Sequence, residues 1–284
     1  MLLSSIQSAK KKIGLLELDQ APLLSSRLGL DISVNENVEL LQTLLLKMGE
    51  LASAHLTGLV IDPIYSFDAS ASSGKAGCLT RLNVLADEVD PLAVPAIIPD
   101  YGLEEMSNNY NLVKFDLFYH PTESNSLKKK QLLAEIHDYC DYLDMNMLLK
   151  LHLYQPKGEE YLSEQFQDDQ LLAIGELSRL TELVALQYPL EPLAIATLTA
   201  ELDVPWILMD EGQSYDQFKQ ELRVCLENGA SGFLVSQALW QEMTQMRQED
   251  KSLDLEQINH FLETTFLDRV IELMRIANEM GEGV

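Results

Sequence analysis

Eight short apolar runs punctuate the chain, separated by longer amphipathic stretches. They are IGLLELD (13–19), GLVIDP (58–63), CLTRLNV (78–84), LVKFDLFY (112–119), MLLKLHLY (147–154), LVALQYPL (183–190), PWILMD (205–210) and GFLVSQ (232–237). Each is too short for a buried helix and nearly continuous in hydrophobicity, as parallel strands covered on both faces are. The stretches 37–55, 127–144, 214–230 and 254–280 carry leucines and other apolar residues at helical spacing. Ser214 is placed to cap the third of these helices and Asn228-Gly229 to end it. Eight strand–helix alternations predict a single (β/α)8 barrel, one domain over residues 1–284. The third repeat is the least regular. Pro95 and Pro99 predict a loop leading into a helix there.

Bulk properties narrow the function. Hydrophobic residues make up 46% of the chain, enough for a sizeable core. The net charge of −25 opposes binding to nucleic acid phosphates and anionic membranes, so neither is an expected partner. Cys78, Cys140 and Cys225 are too scattered for a metal or disulfide framework. The N-terminus lacks a signal-peptide hydrophobic region, and no apolar run approaches the roughly 18 residues of a spanning helix. A cytoplasmic protein without a cofactor is the expectation. DASASSGKAG (68–77) lacks phosphate-loop spacing and reads as a loop at the catalytic end. The acidic segment 157–170 reads as a solvated loop and helix start, with a lid or partner surface as its alternative.

Barrel chemistry sits at the C-terminal ends of the strands, and several of these runs turn polar there. The first offers Glu17 and Asp19 on one face, then Gln20. The second ends in Asp62. The fourth pairs Lys114 with Asp116, the fifth Lys150 with His152, and the sixth Ala185 with Gln187. The seventh ends in Asp210-Glu211 and the eighth in Ser236-Gln237. Lysine is almost never fully buried unless partnered or employed. Two lysines on neighbouring strands, held near each other and desolvated, would depress each other's pKa, and a neutral amine is what Schiff-base chemistry requires. The alternative is an ion-pair network, Lys114 with Asp19 and Lys150 with Asp210. A catalytic Lys150 should be unpaired and open to the barrel mouth; a structural one should be locked to a carboxylate. Asp19, Asp62, Asp116 and Asp210 have no spacing that specifies a metal, and central lysines oppose one. His152 is the histidine placed at the site. Tyr65, Tyr101, Tyr119 and Tyr154 lie near strand ends and read mostly as packing.

The ordered segments LELDQ, VIDPIYS, IIPDYG, LVKFDLFY, LHLY, PWILMDEG and GFLVSQALW, over about residues 13–245, resemble the tagatose-1,6-bisphosphate aldolase (LacD-type) family of class I aldolases. The resemblance implies a (β/α)8 barrel that cleaves a ketose bisphosphate through a lysine Schiff base. It implies that Asp19 lies near the reacting carbons, beside Gln20, and that Lys114 supports substrate oxygens. Asp62-Pro63 matches the family's pair on the second strand. Elsewhere the pattern departs. Lys150 stands where the family has a proton-transferring glutamate, and Ala185 where it has the Schiff-base lysine. Gln187 replaces a glutamate, Asp210 a serine, and Ser236-Gln237 the Gly-Arg pair that holds phosphate. Alanine forms no imine, and residues 182–203 contain no lysine. Two expectations follow. Either Lys150 is a relocated nucleophile of a Schiff-base lyase, tuned by Lys114, Asp116 or Asp19 and acting on a carbonyl or sugar substrate, or the chain is an inactive homologue with a binding, regulatory or assembly role. A homo-oligomer or protein partner is compatible with either.

Overall fold

Each of the eight apolar runs forms a strand. In the computed structural model, which describes residues 3–66, 76–84, 90–110, 112–156, 161–189 and 191–280, they are β1 Ile13–Glu17, β2 Gly58–Ile61, β3 Gly77–Arg81, β4 Leu112–Tyr119, β5 Asn146–Leu153, β6 Leu183–Leu186, β7 Trp206–Met209 and β8 Gly232–Val235. All pair in parallel, in sequence order, and β8 closes on β1, so the sheet is a closed barrel. The helices are α1 Ala21–Leu28, α2 Asn35–Ser53, α3 Leu103–Ser107, α4 Ser126–Tyr142, α5 Ser163–Leu177, α6 Pro192–Glu201, α7 Tyr215–Glu227, α8 Gln237–Trp240, α9 Leu255–Phe261 and α10 Leu267–Glu279. The predicted fold class is the observed one. Among the described residues, no helix is long and apolar enough to cross a membrane.

Local chemistry explains the boundaries. Ser214 Oγ accepts the Gln217 N–H and starts α7, and Gly229 takes φ +101° after it. In the third repeat, Ile97 forms only a bridge to Asn83 before the short α3. The C-terminal pattern becomes α9 and α10 joined by a π turn, Leu262–Phe266. Residues 68–75 of the low-complexity stretch and 157–160 of the acidic segment lie outside the described residues; the remainder of the latter enters α5.

Strand side chains alternate between two buried layers. Outward residues join the helices in the larger core, which includes Val113, Phe115, Leu117 and Tyr119 of β4. Inward residues form a separate cluster of Ile13, Leu15, Val60, Leu79, Leu112, Leu148, Leu183, Ala185, Ile207, Met209 and Leu234. Leu3 and Ile6 join that cluster through the turn Ser4–Ile6. The turn packs so closely on β3 that a Cβ on Gly77 would lie 2.5 Å from Ser5 O. This apolar plug fills the lower barrel and pushes the polar strand ends to the opposite rim.

Candidate functional site

One inward step beyond the apolar layer, the barrel interior becomes charged. Glu17 follows Leu15, Arg81 follows Leu79, Lys114 follows Leu112 and Lys150 follows Leu148, each two residues on and so on the same face. The register sets Arg81 beside Lys114, Asp116 beside Lys150, and Lys150 beside Ala185. Asp19 and Asp62 lie just past the ends of β1 and β2 and are also buried.

Four carboxylates and three cations meet here. Lys114 Nζ lies 2.6 Å from Glu17 Oε1, 2.8 Å from Asp19 Oδ2 and 3.1 Å from Asp116 Oδ2. Lys150 Nζ lies 2.8 Å from both oxygens of Glu17. Arg81 Nη2 is 2.5 Å from Asp62 Oδ2, and its Nη1 donates to the backbone carbonyl of Asn83. Asn83 in turn pairs its side-chain amide with the Asp116 backbone, at 2.9 and 3.1 Å. Three expected site residues, Asp19, Lys114 and Lys150, are thus brought together with Asp62 and Asp116.

Burial and the excess of carboxylate set the protonation. Burial pushes Asp19 up to about 6; Lys114 pulls it down, while Glu17 and Asp116 push further up. Burial also acts on Glu17, but the ammonium groups of Lys114 and Lys150 outweigh it and hold the carboxyl below its ordinary value. Asp116 is held far below its ordinary range, chiefly by Lys114 against the cost of burial. Lys114 is desolvated, yet the three carboxylates around it raise its pKa, so it stays an ammonium. The mutual depression expected of two lysines therefore does not occur at Lys114, because Asp116, Asp19 and Glu17 all lie against it.

The expected pairing of Lys150 with Asp210 is corrected by the geometry. Lys150 is held by Glu17. Asp210 instead accepts the backbone N–H groups of Gly212, Ser236 and Ala238 at 2.7, 2.9 and 2.7 Å. It joins the β7 and β8 ends through the main chain. Gln20 links the centre to the same rim: its amide donates to Glu17 Oε2 at 3.0 Å and accepts Ser236 Oγ at 3.2 Å.

The remaining expected residues lie farther out. His152 stacks on Phe118 with ring centroids 4.6 Å apart, and burial lowers its pKa. Its Nε2 is 3.8 Å from Asp116 Oδ1, beyond a hydrogen bond. Gln187 accepts the Leu153 N–H at 2.7 Å and donates to Glu211 at 2.6 Å, bracing loops rather than facing the centre. Gln237 lies in an adjoining cleft.

Two contributors were not anticipated, Arg81 and Asn83. Their signal was the one that singled out Lys114: charge and amide at i and i+2 inside a buried strand. Glu17, noted only as a face-mate of Asp19, is the group both lysines share. A fourth buried cation, Lys129 of α4, is also fully engaged. It donates to Glu123 at 2.9 Å and to the carbonyls of Pro91 and Phe118, and Tyr154 hydrogen-bonds the same glutamate.

The carboxylates that could have served a divalent cation are thus taken by Arg81, Lys114, Lys150 and backbone amides. His137, Asp141 and Glu182 form the one described cluster with metal-compatible spacing. There the imidazole lies between the two carboxylates, with Nε2 3.8 Å from Asp141 and Nδ1 3.8 Å from Glu182.

The fold and this rim define a (β/α)8 barrel with a charged interior layer. No protein-family model matches the sequence. In structure, the chain is similar to an archaeal fructose 1,6-bisphosphate aldolase, with TM-score 0.68 and 14% identity over 98% of each chain. It is similar to the fructose-bisphosphate aldolase of Plasmodium falciparum, with TM-score 0.68 and 12% identity over 99% of this chain and 94% of that one. A further archaeal aldolase, solved with its catalytic lysine bound to the carbinolamine intermediate, has TM-score 0.63 and 16% identity over 97% of this chain and 98% of that one. Identities this low establish the shared barrel; the chemistry must be argued from the residues.

Proposed function

We propose that this chain is a homologue of the sugar-phosphate class I aldolases that has given up Schiff-base chemistry and keeps a binding, regulatory or assembly role. The observation that carries this reading is the Glu17 carboxylate, which holds Lys150 with both oxygens and Lys114 with one of them. An imine-forming lysine must present a neutral amine to a carbonyl. Lys150 is 2% exposed and donates to Glu17, and Lys114 is fully buried among three carboxylates. The inward β6 position beside Lys150 is Ala185, part of the apolar layer.

Asp210 supports the same reading. Backbone amides converging at a strand end suit a substrate anion. Here a carboxylate of the chain itself occupies three of them. Within the aldolases, the order of the motifs from LELDQ to GFLVSQALW favours kinship with the tagatose-1,6-bisphosphate type.

The test is borohydride trapping with a panel of carbonyl compounds that includes dihydroxyacetone phosphate, followed by peptide mass mapping. No reduced adduct on any lysine is expected. An adduct on Lys150, abolished by Lys150→Ala, would overturn the proposal and make the chain a Schiff-base lyase with a relocated nucleophile. One observation favours that second reading: Asp19, at about 6, is a buried proton acceptor and donor within the same network.

A further inference from the structure

Beside the charged centre, a cleft of about 530 Å³ opens between α1, the loop after β7 and the segment after β8. Arg27, Ser214, Gln237, Trp240, Gln241 and Gln245 line it. Its size is that of a small-molecule site. The chain has 45 acidic residues against 20 lysines and arginines, so a cation facing a cavity would ordinarily have a carboxylate partner. The Arg27 guanidinium makes no hydrogen bond or ion pair among the described residues. Glu242 also borders the cleft, but Arg269 already holds it, at 2.6 and 2.9 Å.

A second polar group there is unengaged. The side-chain amide of Gln237 makes no hydrogen bond among the described residues. It packs over Gly212, where an added Cβ would lie 3.3 Å from the amide atoms, and Gly212 holds φ +88°. An amide is both donor and acceptor, the pairing a sugar hydroxyl uses. A guanidinium offers parallel N–H donors that match a carboxylate.

We propose that this cleft binds a small polyhydroxylated carboxylate, a sugar acid, with Arg27 on the carboxylate and Gln237 on the hydroxyls. Two features favour a carboxylate over a phosphate. The nearby amides of Gly212, Ser236 and Ala238 serve Asp210, which leaves one guanidinium for the anion. The net charge of −25 also opposes a dianion more than a monoanion. The proposal goes beyond the function proposed above and does not depend on it, since either outcome of borohydride trapping leaves the cleft unchanged.

The test is saturation-transfer NMR and calorimetry with gluconate, galactonate and glucuronate, alongside glucose and glucose 6-phosphate. At least one of the acids should bind saturably with Kd of about 1 mM or tighter. Glucose should not. Arg27→Ala, a change at an exposed position, should weaken binding at least about tenfold while circular dichroism stays unchanged. Gln237→Ala should weaken it by a smaller factor. Failure of every acid to saturate, or equal binding by Arg27→Ala, overturns the site. Tighter binding of glucose 6-phosphate than of any acid overturns the assignment to carboxylates.

Discussion

Lys150 Nζ sits 2.8 Å from both carboxylate oxygens of Glu17, on the far side of the barrel in sequence but adjacent in space. Glu17 Oε1 is also 2.6 Å from Lys114 Nζ. One glutamate thereby contacts both buried lysines, with Asp19 and Asp116 supplying further negative charge at Lys114. Breaking a buried pair from one side costs about 3–5 kcal/mol, because the other charge is left uncompensated. Glu17→Gln should therefore lower stability by that amount in urea unfolding. Adding Lys150→Met should recover part of the loss. A loss below about 1 kcal/mol would mean that the network closes without Glu17.

Asp19 makes stability depend on pH in a direction opposite to that of most carboxylates. Its folded pKa, about 6, lies above the ordinary aspartate value of 3.8, so the folded state takes up a proton first as pH falls. Its ionisation destabilises the fold at neutral pH, and the penalty is relieved between pH 6 and pH 4. Relative to Asp19→Asn, the native chain should gain about 2 kcal/mol as pH drops from 7 to 4. Denaturant titrations of both proteins across that range measure it. Glu17 and Asp116, whose pKa values are lowered, contribute stability that is lost at still lower pH, so the comparison with the variant is what isolates Asp19.

Asp210 serves three backbone N–H groups, and Asp210→Ala strands all of them. A buried donor without a partner costs about 1–3 kcal/mol. A total loss of about 3 kcal/mol is expected, since water entering from the rim satisfies some of them. Asp210→Asn keeps one acceptor oxygen and should lose less. Hydrogen exchange should locate the damage at Ser236 and Ala238.

Gly232 marks the seam where β8 meets β1. An added Cβ would lie 1.7 Å from Ile13 O, and the residue holds φ +156°. Gly232→Ala should cost more than about 3 kcal/mol, or prevent folding. Gly175 in α5 has nothing within 4 Å of its Cβ position. Gly175→Ala should instead stabilise the chain by about 0.5–1 kcal/mol. Thermal melts of the two variants should move in opposite directions.

Much of this was legible from local pattern. A buried parallel strand needs apolar side chains on both faces, and eight such runs at regular spacing leave few alternatives to a closed barrel. The same logic exposed Lys114 and Lys150, since a charge within such a run must point into the barrel and find a partner. It would have exposed Arg81 as well, had Leu79, Arg81 and Asn83 been read as one inward face. The resemblance located Asp19, Asp62, Ala185 and Asp210 at strand ends without deciding what each contacts.

Which charges pair is a tertiary matter. Glu17 and Lys150 are separated by 133 residues, and a shift of one residue in any strand register would turn either side chain outward. Lys150 took Glu17 rather than Asp210 because Glu17 and Lys150 both point inward above the apolar plug, whereas Asp210 turns to the main chain at the β8 end. That Arg27 and Gln237 share a cleft without partners among the described residues is likewise visible only once α1 and the segment after β8 stand side by side. The sequence by itself determined the strands, the barrel and the level at which charge begins, because these follow from periodicity along the chain. The closure of the sheet decided the partners, because hydrogen bonds and ion pairs form only between groups brought within a few ångströms.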